Sequence, residues 1–221
     1  MLYYLCISQT GFVTGSGKST ILSLLTGDHP RSFSESVTLF GQPRSALATV
    51  KLQEQIGHIS PEIYNAFPRR HGPQALTASE AIASGFASIF SYRKITLEQY
   101  KRLIELTDKF QLTRKWLDTP FAELSAGHQS LVLLLRALVK KPKLLILDEA
   151  FAGMSAQMVE RCRTFIDDEL DERQAVIFVS LLLMFERLAD RLQVSHYDDE
   201  VPVSVTKTLA LESGRVVEMS S

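Results

Sequence analysis

Six residues, Gly15-Ser16-Gly17-Lys18-Ser19-Thr20, constrain the fold of this 221-residue chain more than any other stretch. Glycines on either side of a serine let backbone amides turn inward, and one lysine followed by two hydroxyls sets a cation beside them. Leu2 to Ile7, before the run, is rich in β-formers; Ile21 to Leu25, after it, is apolar with helical spacing. Strand, glycine loop, helix is the expected order. The loop amides, the positive end of the helix and Lys18 would then converge on one anion.

The rest of the chain alternates in the same way. Val37 to Phe40, Ile56 to Ile59, Leu144 to Leu147 and Ala175 to Val179 read as strands, the last two as buried ones of the parallel kind. Leu131 to Val139 reads as an apolar helix stopped by Pro142. Thr77 to Phe110 has helical periodicity, with Ala81, Ile82, Gly85, Phe86 and Ile89 on one face and Tyr100, Leu103, Ile104 and Leu106 on another. Leu209 to Val217 reads as a closing strand pair turning at Ser213-Gly214. The expected fold is α/β, a mostly parallel sheet in a single domain over residues 1–221, with a helical insert from Pro73 to about Glu123.

Charge and cysteine content narrow the class. Lys plus Arg number 24 against 25 Asp plus Glu, so no basic field points to nucleic acid. Cys6 and Cys162 match no metal spacing and imply a reducing, intracellular compartment, the cytoplasm first and the mitochondrion as the alternative. No apolar run reaches the roughly 20 residues of a membrane-spanning helix, so no direct membrane insertion is expected. Met1 to Ile7 lacks a basic leader and a small-residue cleavage site.

The loop matches the phosphate-binding pattern G-x-x-x-x-G-K-S except at its start, where Phe12 holds the first glycine position and Gly11 lies one residue early. Either the loop carries an extra residue, or the strand runs through Thr14 and the loop is short. Gly15, Ser16, Gly17, Lys18, Ser19 and Thr20 are the candidate ATP-binding residues, Lys18 serving the β and γ phosphates and Ser19 a Mg²⁺ ion. Asp148 ends the apolar run Leu144 to Leu147, where a carboxylate can share that Mg²⁺; Glu149 beside it is the candidate to activate water.

Leu124-Ser125-Ala126-Gly127-His128-Gln129 resembles the L-S-G-G-Q signature of ATP-binding-cassette (ABC) ATPases. In order with the phosphate loop and the acidic strand end, it makes the chain similar to one ABC domain, a P-loop NTPase with a helical signature subdomain at about 73–123. Ile56-Gly57-His58-Ile59-Ser60-Pro61-Glu62 and Pro120-Phe121-Ala122-Glu123 add a resemblance to the second cassette of soluble tandem ABC ATPases of the ModF and photorepair group. The resemblance implies that Ser125, Ala126, Gly127 and Gln129 face nucleotide held by a second cassette, in a homodimer or a tandem pair. Ser125 also reads as a helix cap, with Gly127 admitting phosphate to the first turn.

Some positions depart from that family. A histidine sensing the γ-phosphate is expected behind a strand ending like Val179-Ser180, yet Leu181 follows, and Val194-Ser195-His196 restates the ending downstream. Residues 181–195 are either an insertion, which makes His196 the second catalytic candidate, or a genuine amphipathic helix with Phe185, Leu188 and Leu192 on one side. Only 17 residues precede Lys18, so the resemblance implies a start missing its adenine-stacking aromatic. Glu62 stands where many members have glutamine, and Gly153-Met154-Ser155 where they have Gly-Leu-Asp. The implied activity is ATP hydrolysis. The alternatives are a nucleotide-dependent interaction module without turnover and the ATPase subunit of a membrane importer.

Overall fold

A computed structural model describes residues 3–8, 18–34, 36–170, 173–179, 205–212 and 215–219. Six strands form one sheet in the order β4-β5-β6-β1-β7-β8: β1 is Tyr3–Ser8, β4 Ile56–Ile59, β5 Leu144–Asp148, β6 Ala175–Val179, β7 Val205–Glu212 and β8 Arg215–Met219. All neighbours pair in parallel except β7 and β8, whose antiparallel ladder closes the edge. The chain therefore has the mostly parallel α/β fold expected of a P-loop NTPase.

β5 shows why the central strands read as unbroken apolar runs. Successive side chains point to opposite faces. Leu145 and Leu147 join the larger core beneath the helices α7 (Ala126–Leu138) and α8 (Ala156–Glu169); Leu144 and Ile146 join a second core with Leu22 of α1 (Lys18–Thr26) and Leu52 of α2 (Thr49–Gln55). Burial on both faces leaves no place for a polar residue until the strand ends.

The expected strand at Val37 to Phe40 is much shorter. Thr38–Leu39 (β2) pairs only with Gln42–Pro43 (β3), across a turn in which Phe40 and Gly41 have φ of 52° and 76°. Two successive left-handed residues make a tight hairpin, and the strand has no length beyond it.

The periodicity over Thr77 to Phe110 also divides. Helix α4 (Ala78–Ala83), opened by a Thr77–Glu80 capping box, runs into a 3-10 turn at Ser84–Ala87 that Ser88 ends with φ of 55°. A second capping box, Thr96 with Gln99, starts α5 (Leu97–Lys109). Arg102 and Lys109 of α5 both pair with Glu169 at the end of α8, tying this helical region to the sheet-bearing part. Helix α7 lies between the two, buried on every side from Ser130 to Val139. Residues 181–195 and the turn at Ser213-Gly214 lie outside the described residues.

Candidate functional site

Register in the sheet sets the floor of the site. Ile7 and Asp148 both pair with Val179, from opposite sides of β6, and Ile59 pairs with Leu147. The carboxyl ends of β1, β5 and β4 are thus level. At one strand spacing per neighbour, β1 and β5 lie roughly 10 Å apart across this edge. Open α/β sheets bind ligands at this edge, because the helices that follow each strand present their positive ends there.

Lys18 begins α1, so the first turn of that helix carries Ser19 and Thr20, both exposed. Gly15, Ser16, Gly17 and the departures at Gly11 and Phe12 lie outside the described residues, as does His196. Asp148 is half-buried at the end of β5. Glu149 is exposed, with its amide donating to Val179 O at 3.1 Å. Glu149 has φ of 50°, a left-handed backbone that a non-glycine residue adopts at a cost. Glu149 lines a cavity of about 190 Å³ with Ser60, Tyr64, Ala126, Ser130 and Gly153. Strained backbone beside a strand-end carboxylate is common where a side chain must be aimed.

A serine hydroxyl and an aspartate carboxylate are hard oxygen donors that fit Mg²⁺, an ion that keeps several waters and takes few protein ligands. No group of three or more His, Cys, Asp and Glu side chains converges among the described residues.

The opposite wall is the start of α7. Ser125 caps it, its Oγ accepting from His128 N at 3.4 Å and lying 3.0 Å from His128 Nδ1. Ser125 and Ala126 are exposed. Two of the expected signature residues are buried in this chain. Gln129 is buried: its amide donates to Phe121 O and Leu124 O, while its carbonyl accepts from Tyr64 Oη at 2.9 Å and Arg69 Nε at 3.4 Å. It braces the signature turn from behind and does not face outward. Gly127 is buried too, and a Cβ there would lie 2.5 Å from Gly153 O. Its glycine is needed for close packing on the 149–153 turn, with no ligand required to explain it.

Sequence reasoning missed His128, Tyr64 and Arg69. His128 is half-exposed on the outer side of the same turn, with Trp116 edge-on at 5.7 Å. Arg69 stacks on Tyr64 with its guanidinium 4.6 Å from the ring centre. Glu62 is exposed at the start of α3 (Pro61–Ala66), where the Ser60 hydroxyl holds its carboxyl below the usual range. Ser155, in place of the family's aspartate, caps α8. Cys162 is buried and burial pushes its thiol up to about 12, which makes it inert at neutral pH. No helix among the described residues is long and apolar enough to cross a membrane.

Comparison with known proteins agrees with this fold. Residues 13–152 match the family model described as "ABC transporter". An ABC transporter ATP-binding protein of Schizosaccharomyces pombe is 32% identical over 206 residues, 92% of this chain and 38% of that protein. The ABC transporter ATP-binding protein ModF of Escherichia coli is 34% identical over 197 residues, 88% of this chain and 36% of ModF. The chain thus spans little more than a third of either relative. In fold it is similar to a solved ATP-binding subunit of an ABC transporter, with a TM-score of 0.69 at 18% identity over 99% of this chain and 78% of that one.

Proposed function

Since this chain belongs to the ABC transporter family of ATP-binding domains, we propose that it binds ATP with Mg²⁺ and hydrolyses it in a site completed by a second cassette. The observation that carries the reading is the level edge. The strand before Lys18 and the strand ending in Asp148 finish level, one strand apart, and Glu149 directly follows Asp148.

Each residue has a part set by its place. Loop residues Gly15 to Gly17 offer amides, and Lys18 offers a full positive charge to the β and γ phosphates. Ser19 and Asp148 hold Mg²⁺, whose contribution is to neutralise phosphate charge. Glu149 accepts the proton of the attacking water or orients it. His196 senses the γ-phosphate. Ser125 and Ala126 lie on the exposed turn of α7, suited to nucleotide on a partner cassette, with His128 added to that surface. The partner is a second copy or a tandem cassette, in keeping with relatives of more than twice this length. An importer subunit is the other assembly, and copurification with a membrane subunit would favour it.

The Glu149→Gln substitution tests the chemistry. ATP binding should persist while phosphate release from a dimeric or tandem preparation falls by at least about a hundredfold. Unchanged turnover removes Glu149 from the reaction. Loss of ATP binding in Lys18→Ala, with folding intact, tests the nucleotide reading separately.

A further inference from the structure

A second cavity, of about 160 Å³, lies at the far end of α7 from the signature turn. Its walls include Arg136 and Lys140 of α7 and the turn after it, His58 of β4, and Ser88 and Phe90 beyond α4. It is well below the volume of pockets that hold drug-sized ligands, about 300 Å³ and upward. Only a small ion or molecule fits.

Its polar groups are positive or neutral. The Arg136 guanidinium lies between the rings of Phe67 and Phe90, 5.6 and 5.2 Å from their centres, and donates to Ser84 Oγ and Ile89 O at 3.1 Å each. Lys140 Nζ donates to Gln53 O and Ser88 Oγ, both at 2.5 Å. Among the described residues neither cation forms an ion pair, and every hydrogen-bond partner is uncharged. His58 Nε2 is buried and has no hydrogen-bond partner. Glu54 acts on Lys140, and Asp28 and Glu62 on His58, only through space. No carboxylate among the described residues lines the cavity.

Arg136, buried, and Lys140, half-buried, have neutral hydrogen-bond partners, so they keep much of the cost of leaving water and regain little of it from an opposite charge, Glu54 acting on Lys140 only through space. An anion arriving from outside would supply the missing attraction in the setting where it is strongest. The α7 carbonyls end nearby and make that end of the helix negative, so side-chain charge has to do the binding.

We propose that this cavity is a binding site for a small oxyanion, phosphate or carboxylate, held by Arg136 and Lys140 with His58 at its floor. It is separate from the nucleotide edge and independent of the reading given to that edge. Burial lowers Lys140 to about 8 and Arg136 to about 10, the direction expected of cations that lack a counter-charge.

The test is thermal unfolding of the full chain carrying Lys18→Ala, which removes the other phosphate grip, titrated with inorganic phosphate or with succinate against sodium chloride of equal ionic strength. A saturable rise in Tm with either anion is expected; it should vanish in Lys140→Met and survive in Lys140→Arg. The two anions distinguish a phosphate site from a carboxylate one. A response no larger than that to chloride overturns the proposal, as does one that persists in Lys140→Met. Should Lys140→Met fail to fold, Ser88→Asp takes its place, since it puts a carboxylate beside Lys140 Nζ. That variant should have a higher Tm without added anion and no phosphate response; an unchanged response defeats the proposal.

Discussion

The two ends of α7 handle polarity in opposite ways. At its start, Ser125 and Ala126 are exposed, and the charge on offer is the partial positive charge of backbone amides. At its close, Arg136 and Lys140 are drawn inward to carbonyls of other segments, and the charge is carried by side chains. What the ends share is close packing. A Cβ at Gly127 would lie 2.5 Å from Gly153 O, and one at Gly85 would lie 2.0 Å from Arg136 O. The lesson is that one helix can leave its first turn open to solvent while its other end is packed against several segments.

The strongest test of that comparison is to crowd each end by one methyl. Gly85→Ala should cost about 4 kcal/mol, because backbone meets backbone and neither can rotate away. Gly127→Ala should cost about half as much, since the 149–153 turn it meets is a surface segment. Urea unfolding of both variants measures the difference. Equal costs, or a larger one at Gly127, would mean that the far end is no clamp.

How much of this was readable without coordinates differs along the same helix. The strands Leu144 to Leu147 and Ala175 to Val179 were legible almost to the residue, since burial on both faces forces unbroken apolar runs. So were the Ser125 cap and the strand end at Asp148, because capping and strand-end chemistry are local. The phase of α7 was not legible. A helix apolar all round has no polar stripe to say which side faces out, so nothing in the sequence shows that Gln129 is buried while His128 is half-exposed. The break after Ser88 carried no glycine or proline at the break itself, although Thr96 and Gln99 already spelled a capping box. Nothing local could show that Tyr64 reaches Gln129, for they come from separate segments.

Next in size is a pH effect near the clamped end. Burial pushes the His58 imidazole down to about 4 from a usual 6.5, against the raising influence of Asp28 and Glu62 and with a smaller lowering one from Arg136 and Lys140. The folded chain therefore resists a proton that the unfolded chain accepts between those values. Stability from this source is whole above pH 6.5 and is lost as pH falls to 4. At about 1.4 kcal/mol per pH unit, the loss is about 3 kcal/mol. Unfolding free energies at pH 7 and pH 4 should differ by about that much more in the parent chain than in His58→Val. A difference equal in the two would mean that His58 is not kept neutral by burial.

The smallest effect belongs to the open end. Tyr64 Oη donates to the Gln129 carbonyl and so joins the segment after β4 to the signature turn from behind. Tyr64→Phe keeps the ring on which Arg69 stacks and removes only the hydroxyl. Arg69 Nε still donates to the same oxygen, so no acceptor is orphaned and the cost should be about 1 kcal/mol. A double-mutant cycle with Gln129→Leu isolates the link, since both changes act on one hydrogen bond and their effects should fall short of the sum by about 1 kcal/mol. Strict additivity would show that the two segments are held by packing alone, and that the orientation of the exposed turn owes nothing to this bond. A coupling of the expected size, with a drop in ATP turnover but not in ATP affinity, would instead make Tyr64 a positioning residue for whatever the turn faces.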